Sequence, residues 1–157
     1  MSWLNSGIDR DATISIVPDI AEAFGALYQS LWTQPHLPVE ILELCRLRLA
    51  QLHQCTVEML RHDCEVLVEK RENLARWNTD IRFSDAERGC LAFTEVYAMD
   101  AQALTDEQAA AVKTHFGDAG LVLLVEALGI FDGMTRLSLL WQLPAIAVPG
   151  ENLEEVL

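Results

Sequence analysis

Four residues within one short span carry side chains fit for proton or electron-pair chemistry: Glu43, Cys55, Glu58 and His62. On a continuous helix the three- and four-residue spacings of 55, 58 and 62 place them on one face. A histidine oriented by a carboxylate can carry a proton at pH 7, and a second carboxylate can act as its counterpart. That equipment suits decarboxylation of a β-keto or vinylogous acid, where a developing enolate carbon must be protonated, and equally an isomerisation. In this reading His62 carries the proton, Glu58 orients it, and Glu43 is the third polar group. The chemistry asks for no metal and no nucleotide, and the loops hold neither a Gly-rich phosphate cradle nor a dinucleotide fingerprint. Plainer readings stand beside it. Glu58 and His62 can be a surface pair worth about 0.2–0.5 kcal/mol. Glu43 can pair with Arg46, Asp132 and Arg136 can form a structural pair, and Cys55 can be an inert buried thiol.

The elements that must position these residues read as helices. Residues 1–17 look like an irregular arm. Pro18 opens a helical pattern through Ile20, Phe24, Leu27, Tyr28 and Leu31, and Pro is suited to a first turn. The stretch 33–37 breaks it, and Pro38 suits the first turn of the next helix. Residues 38–71 lack Gly and Pro, which predicts helix throughout, with Ile41, Leu44, Cys45, Leu49 and Leu52 along one face. Ser84 with Glu87, and Thr105 with Gln108, form capping boxes ahead of two further apolar patterns. Gly117 ends the second of these, Asp118 caps a long final helix to about Leu143, and Pro144 and Pro149 close the fold. No strand alternation competes, so the expectation is all-α.

A chain of 157 residues fits a single domain. Its 24 acidic against 11 basic residues give a net charge of −13, which repels phosphate, so neither nucleic acid nor an anionic membrane is an expected partner. The apolar stretch 119–143 carries Glu126, Asp132 and Arg136, which a membrane span would hide at high cost. With no secretory signal at the N-terminus, the cytoplasm is the expected location. Cys45, Cys64 and Cys90 read as small core hydrophobes. The four histidines, His36, His53, His62 and His115, are too scattered for an all-histidine zinc site. A mean hydropathy of +0.17 is high for so short a chain and points to apolar surface meant for another subunit.

The segment 43–63, ELCRLRLAQLHQCTVEMLRHD, resembles the core motif of the carboxymuconolactone decarboxylase and alkylhydroperoxidase D (AhpD-like) superfamily. In the peroxidase branch a glutamate precedes a Cys-x-x-Cys pair, and a histidine lies four residues beyond the second cysteine. Glu43 lies twelve residues before Cys55, and His62 seven after it, as that motif requires. IAEAFGALYQSLWTQPHLPVE resembles the lead-in helix and loop, while RFSDAERGCLAFTEV and LVEALGIFDGMTRLSLLWQLP resemble the last helices. The likeness spans residues 18–145, between the arm 1–17 and a tail 146–157. It implies an AhpD-like helical bundle and a homo-oligomer, a trimer or a dimer-based multiple of one. It also implies a chain break near His53 and Gln54, with Glu43 supplied from the preceding helix. Cys55 would then begin a new helix, whose free N–H groups favour thiolate while the Glu58 carboxylate opposes it.

Two motif positions depart from the peroxidase branch: Glu58 stands for the second cysteine, which is the attacking one, and Val57 for a histidine some members carry. Cys55 holds the resolving position. Glu58 four residues before His62 instead resembles the decarboxylase branch, which has no redox cysteine pair. Three functions follow as expectations. The first is Glu/His acid–base chemistry on a small carboxylated lactone or keto acid. The second is an alkylhydroperoxidase-like antioxidant with peroxiredoxin-type activity through Cys55, without the ordinary dithiol cycle. The third is a helical oligomer without chemistry. A dry Glu43–Glu58–His62 cluster on an enclosed pocket would favour the first; a Cys55 that forms sulfenate would favour the second.

Overall fold

The computed structural model describes Leu4 and residues 9–143. Pro144, Pro149, the tail 146–157 and most of the first eight residues lie outside the described residues. The elements are α1 (Arg10–Ile14), α2 (Pro18–Thr33), α3 (Val39–Leu52), α4 (Thr56–Met59), α5 (Val68–Glu72), α6 (Asp85–Asp100) and α7 (Asp106–Leu140). Single 3-10 turns follow α5 and α6, and no strand occurs among the described residues. The chain is an all-α, single-domain bundle.

Several local signals act as the sequence predicts. Pro18 occupies the first turn of α2. Between α2 and α3 the Gln34 side chain closes the turn. Its Oε1 accepts from the His36 and Leu37 amides at 2.6 and 3.0 Å, and its Nε2 donates to the Leu37 carbonyl at 2.7 Å. Both capping boxes form, at Ser84/Glu87 and at Thr105/Gln108. Helix α7 is broken at Gly117, with φ 65° and ψ −170°, a backbone region essentially reserved to glycine. Asp118, expected to cap the second half, instead takes the Lys113 ammonium at 2.6 Å.

Helix α3 is the centre of the core, because its apolar residues cover nearly the whole circumference. Leu42, Leu44, Cys45 and Leu49 are fully buried and join Cys90, Leu91 and Phe93 of α6 with Leu124, Leu128 and Phe131 of α7. On α2, Tyr28 and Trp32 pack on Phe131, the Trp32 ring stacked at 5.8 Å. The rest of that helix leaves Ile20 and Leu27 in solvent.

The helix expected over 38–71 is not continuous. It stops at Leu52, reverses at Gln54 (φ 54°) and resumes for only the four residues of α4. The break falls at His53 and Gln54, where the family resemblance implies it, and the Gln54 and Cys55 amides close the turn on the Gln51 and Ala50 carbonyls. Arginine accounts for the early end of α4. Arg46 Nη1 donates to the Glu58 carbonyl at 2.8 Å and Nη2 to the Arg61 carbonyl at 2.7 Å, while Arg71 Nη2 takes the Met59 carbonyl at 2.9 Å. Carbonyls that a longer helix would bond internally are satisfied from outside. The arm also departs from expectation, since residues 10–14 are helical. Asp9 caps them, its carboxylate accepting from the Ala12 amide at 2.7 Å.

Candidate functional site

The site grows from the break between α3 and α4. Arg46, 2% exposed, grips Glu43 with two parallel bonds: Nε to Oε2 and Nη2 to Oε1, each 2.8 Å. Such a bidentate fork is the strong geometry for guanidinium and carboxylate. The Arg46 guanidinium also lies 3.2 Å from Asp63 Oδ2 and 3.5 Å from Glu58 Oε2. Glu58, 2% exposed, is held from three sides. Arg10 Nη1 donates to both its oxygens at 3.1 and 3.0 Å, and Ser138 Oγ donates to Oε1 at 2.8 Å. Arg10 in turn lies over the Tyr28 ring, 5.4 Å from its centroid, and Tyr28 donates to Asp63 Oδ2 at 2.7 Å.

The titrating behaviour follows from this arrangement. Burial pushes the Asp63 carboxyl up, but Arg46, Arg61 and the Tyr28 hydroxyl together hold it below the usual carboxylate range. Burial pushes the Tyr28 phenol up, and the neighbouring Asp63 charge adds to that. Burial works against the Arg10 charge, yet Glu58 keeps the guanidinium protonated more firmly than usual. Each buried charge thus has its partner, the condition under which charge is tolerated inside a protein.

Cys55 immediately precedes α4 and is 1% exposed. Its Sγ lies 3.9 Å from the Thr135 carbonyl oxygen. Burial pushes the thiol up, and the Glu58 carboxylate adds to that. The backbone of Glu58 and Val57 and the Arg10 charge pull it down, but the balance remains upward.

Of the four expected site residues, Glu43, Cys55 and Glu58 are brought together and His62 is not. The expected Glu58–His62 pair on one helix face does not form, because α4 ends at Met59. His62 is exposed on the following loop and meets Arg71. Glu43 and Arg46 do pair, as do Asp132 and Arg136 at 2.7 Å. Cys45 and Cys90 are core residues, whereas Cys64, expected with them, is half-exposed. Sequence reasoning missed Arg10, Ser138, Tyr28 and Asp63, and also His53, whose Nε2 lies 2.9 Å from Asp132 Oδ1. Only α1 had a local signal: Asp9 stands three residues before Ala12 as a potential N-cap. A separate cleft of about 590 Å³, lined by Ile41, Leu44, Val66, Lys70 and Glu87 among others, does not reach Glu43, Cys55 or Glu58.

Comparison with solved structures identifies the architecture. The debrominase Bmp8 without ligand superposes with a TM-score of 0.81 at 20% identity, over 94% of this chain and 82% of the other. A Cys-to-Ala variant of the same debrominase with 2,3,4-tribromopyrrole bound gives 0.79 at 19% identity, over 94% and 81%. An Agrobacterium tumefaciens protein of unknown function, suggested to be the antioxidant defence protein AhpD, gives 0.76 at 17%, over 94% and 100%. No protein-family model and no curated protein matches the chain. The fold is the AhpD-like helical bundle.

Proposed function

We propose that this protein is a one-thiol antioxidant oxidoreductase that reduces a small organic hydroperoxide, with Cys55 as the reacting sulfur. The observation that carries the reading is the position of the thiol: Cys55 is buried at the N-cap of α4, next to the Arg10–Glu58 pair, and the backbone of Val57 and Glu58 and the Arg10 charge all act to favour its thiolate. These are groups that stabilise a thiolate when it forms. The likeness in fold to a debrominase and to a suggested antioxidant defence protein supports the same choice. Glu/His acid–base chemistry draws less support. Its proton carrier, His62, lies on the surface, and the oxygens of Glu43 and Glu58 all accept from arginine.

Because Glu58 stands where a second cysteine would, the cycle uses external thiols. Cys55 attacks the hydroperoxide, the O–O bond breaks, alcohol leaves and Cys55 becomes a sulfenic acid. One thiol condenses with it, releasing water and forming a mixed disulfide. A second thiol exchanges, returning Cys55 and giving the external disulfide. The sulfur is 1% exposed, so the rate includes a local opening step. Wild-type protein with tert-butyl hydroperoxide and a monothiol reductant is expected to turn over, and Cys55→Ser to lose at least about a hundredfold. Turnover kept by Cys55→Ser, or none in the wild type, refutes the reading.

The same proposal includes self-assembly. Ile16, Val17, Ile20 and Leu27 at the start of the chain, and Val122 and Val125 on α7, are large apolar residues left in solvent. A homo-oligomer, a trimer or a dimer-based multiple of it, would cover such surface. Sedimentation at about 10 μM, within ordinary micromolar affinities, is expected to show the assembly. A monomer there refutes it.

A further inference from the structure

Away from Cys55, the start of α3, the segment ahead of α5 and the start of α6 enclose the cleft of about 590 Å³. That volume falls within the range of small-molecule sites. Pro38, Ile41 and Leu44 line it from the α3 side, and Val66 and Leu67 from the chain ahead of α5. Leu44 is fully buried and Ile41 nearly so, while Leu67 is largely in solvent. The apolar lining therefore runs from the core out to the surface.

The polar lining is Glu40, Glu65, Lys70, Ser84 and Glu87. The last three are committed to one another. Lys70 Nζ donates to Glu87 Oε1 at 2.6 Å, and Glu87 Oε2 accepts from the Ser84 amide and hydroxyl at 2.8 and 3.1 Å. Burial pushes the Glu87 carboxyl up, but Lys70 and Ser84 hold it below the usual carboxylate range. Lys70 and Glu87 thus offset each other, and the exposed carboxylates of Glu40 and Glu65 take no cation from the lining. These two come from separate segments yet act on one sulfur. Burial pushes the Cys64 thiol up, and Glu40, Glu43 and Glu65 add to that. Glu40 also stands four residues before Leu44 on α3, on the same helix face, which puts a carboxylate beside the apolar lining.

We propose that this cleft binds a small organic cation, an ammonium carrying an aromatic or aliphatic body, at a site separate from Cys55. Ile41, Leu44, Val66 and Leu67 cover the body, and the ammonium donates to Glu40 and Glu65. Removing the body from water supplies the main favourable contribution, and the two carboxylates supply the selection. An anion of the same size meets two uncompensated negative groups, while the lysine of the lining already has its charge matched by Glu87. The site stands whether or not Cys55 reacts with hydroperoxide.

The test uses 2-phenylethylammonium, 3-phenylpropionate and 2-phenylethanol, which share an aromatic body and differ in charge. Each is titrated into the full-length protein at neutral pH, and the methyl NMR signals of Ile41, Leu44, Val66 and Leu67 are followed. The ammonium is expected to saturate these signals with a Kd on the order of 1 mM, as suits a ligand of about nine heavy atoms. The alcohol binds more weakly, and the anion weakest, roughly tenfold below the cation. Glu40→Gln with Glu65→Gln lowers affinity for the ammonium roughly 2- to 30-fold, the combined effect of two exposed pairs. Since the chain carries a net charge of −13, a general attraction for cations needs its own control. Asp19→Asn with Glu22→Gln removes two exposed carboxylates at the start of α2, roughly 20 Å along that helix from its end near Pro38. Binding by this control is expected to match the wild type. No saturable shift at these methyls up to about 10 mM, some tenfold above the expected Kd, overturns the proposal. So does an anion that binds as tightly as the cation, or a control pair that weakens the cation as much as the cleft pair does.

Discussion

Arg46→Met is expected to destabilise the protein by about 3–5 kcal/mol, the range for breaking a buried ion pair by removing one partner. For a chain of this size that is a fall in Tm of roughly 6–20 °C. Methionine matches the aliphatic part of arginine but none of its donors. Without the guanidinium, Glu43 keeps a carboxylate at 0% exposure with no cation, and the carbonyls of Glu58 and Arg61 lose their donors. The cost arises from the groups left behind more than from the bonds themselves. Arg46→Met combined with Glu43→Leu should therefore recover part of the loss, because both charges are then gone. Urea unfolding of the three proteins measures this. A single-variant loss under about 1 kcal/mol, the scale of an exposed pair, would mean the network is open to water.

Glu58→Leu is expected to free α1 while the rest of the bundle stays folded. Arg10 reaches Glu58 through two charged hydrogen bonds and is 4% exposed. With an apolar partner its guanidinium has no compensation where it lies. Since α1 is only five residues long, the guanidinium escapes to water by undocking that helix. Losing a charge-assisted hydrogen bond costs about 1.5–3 kcal/mol, so amide exchange over residues 10–14 should quicken roughly 10- to 150-fold. Exchange in the cores of α3, α6 and α7 should change far less. Arg10→Leu with Glu58→Leu removes both charges, and α1 should regain protection. Unchanged exchange over 10–14 in Glu58→Leu would show that other contacts hold α1 down.

Both outcomes turn on features of different legibility in the sequence. The helical class, the Pro18 start, the interruption at 33–37, the two capping boxes and the break at Gly117 were readable from the residues. Each is decided within three or four positions, where a side chain reaches its own backbone or a residue's allowed φ and ψ are a property of that residue alone. The approach of Glu43, Cys55 and Glu58 was also legible, through the spacing they share with the AhpD-like motif.

The end of α3 was legible only through the resemblance, which implied a break near His53 and Gln54, since no glycine or proline marks the place. The end of α4 was another matter, because the carbonyls of Glu58 and Arg61 are taken by Arg46 from 12 and 15 residues away. Local spacing offered Glu58 a partner in His62, four residues on. The tertiary structure supplied Arg10, 48 residues distant, and Ser138, 80 residues distant. A buried, two-bonded guanidinium outweighs an exposed pair worth a few tenths of a kcal/mol. His53 met Asp132 across 79 residues. Side chains buried at a helix junction are paired by the packing of α3 against α7, and distance along the chain carries no trace of that packing.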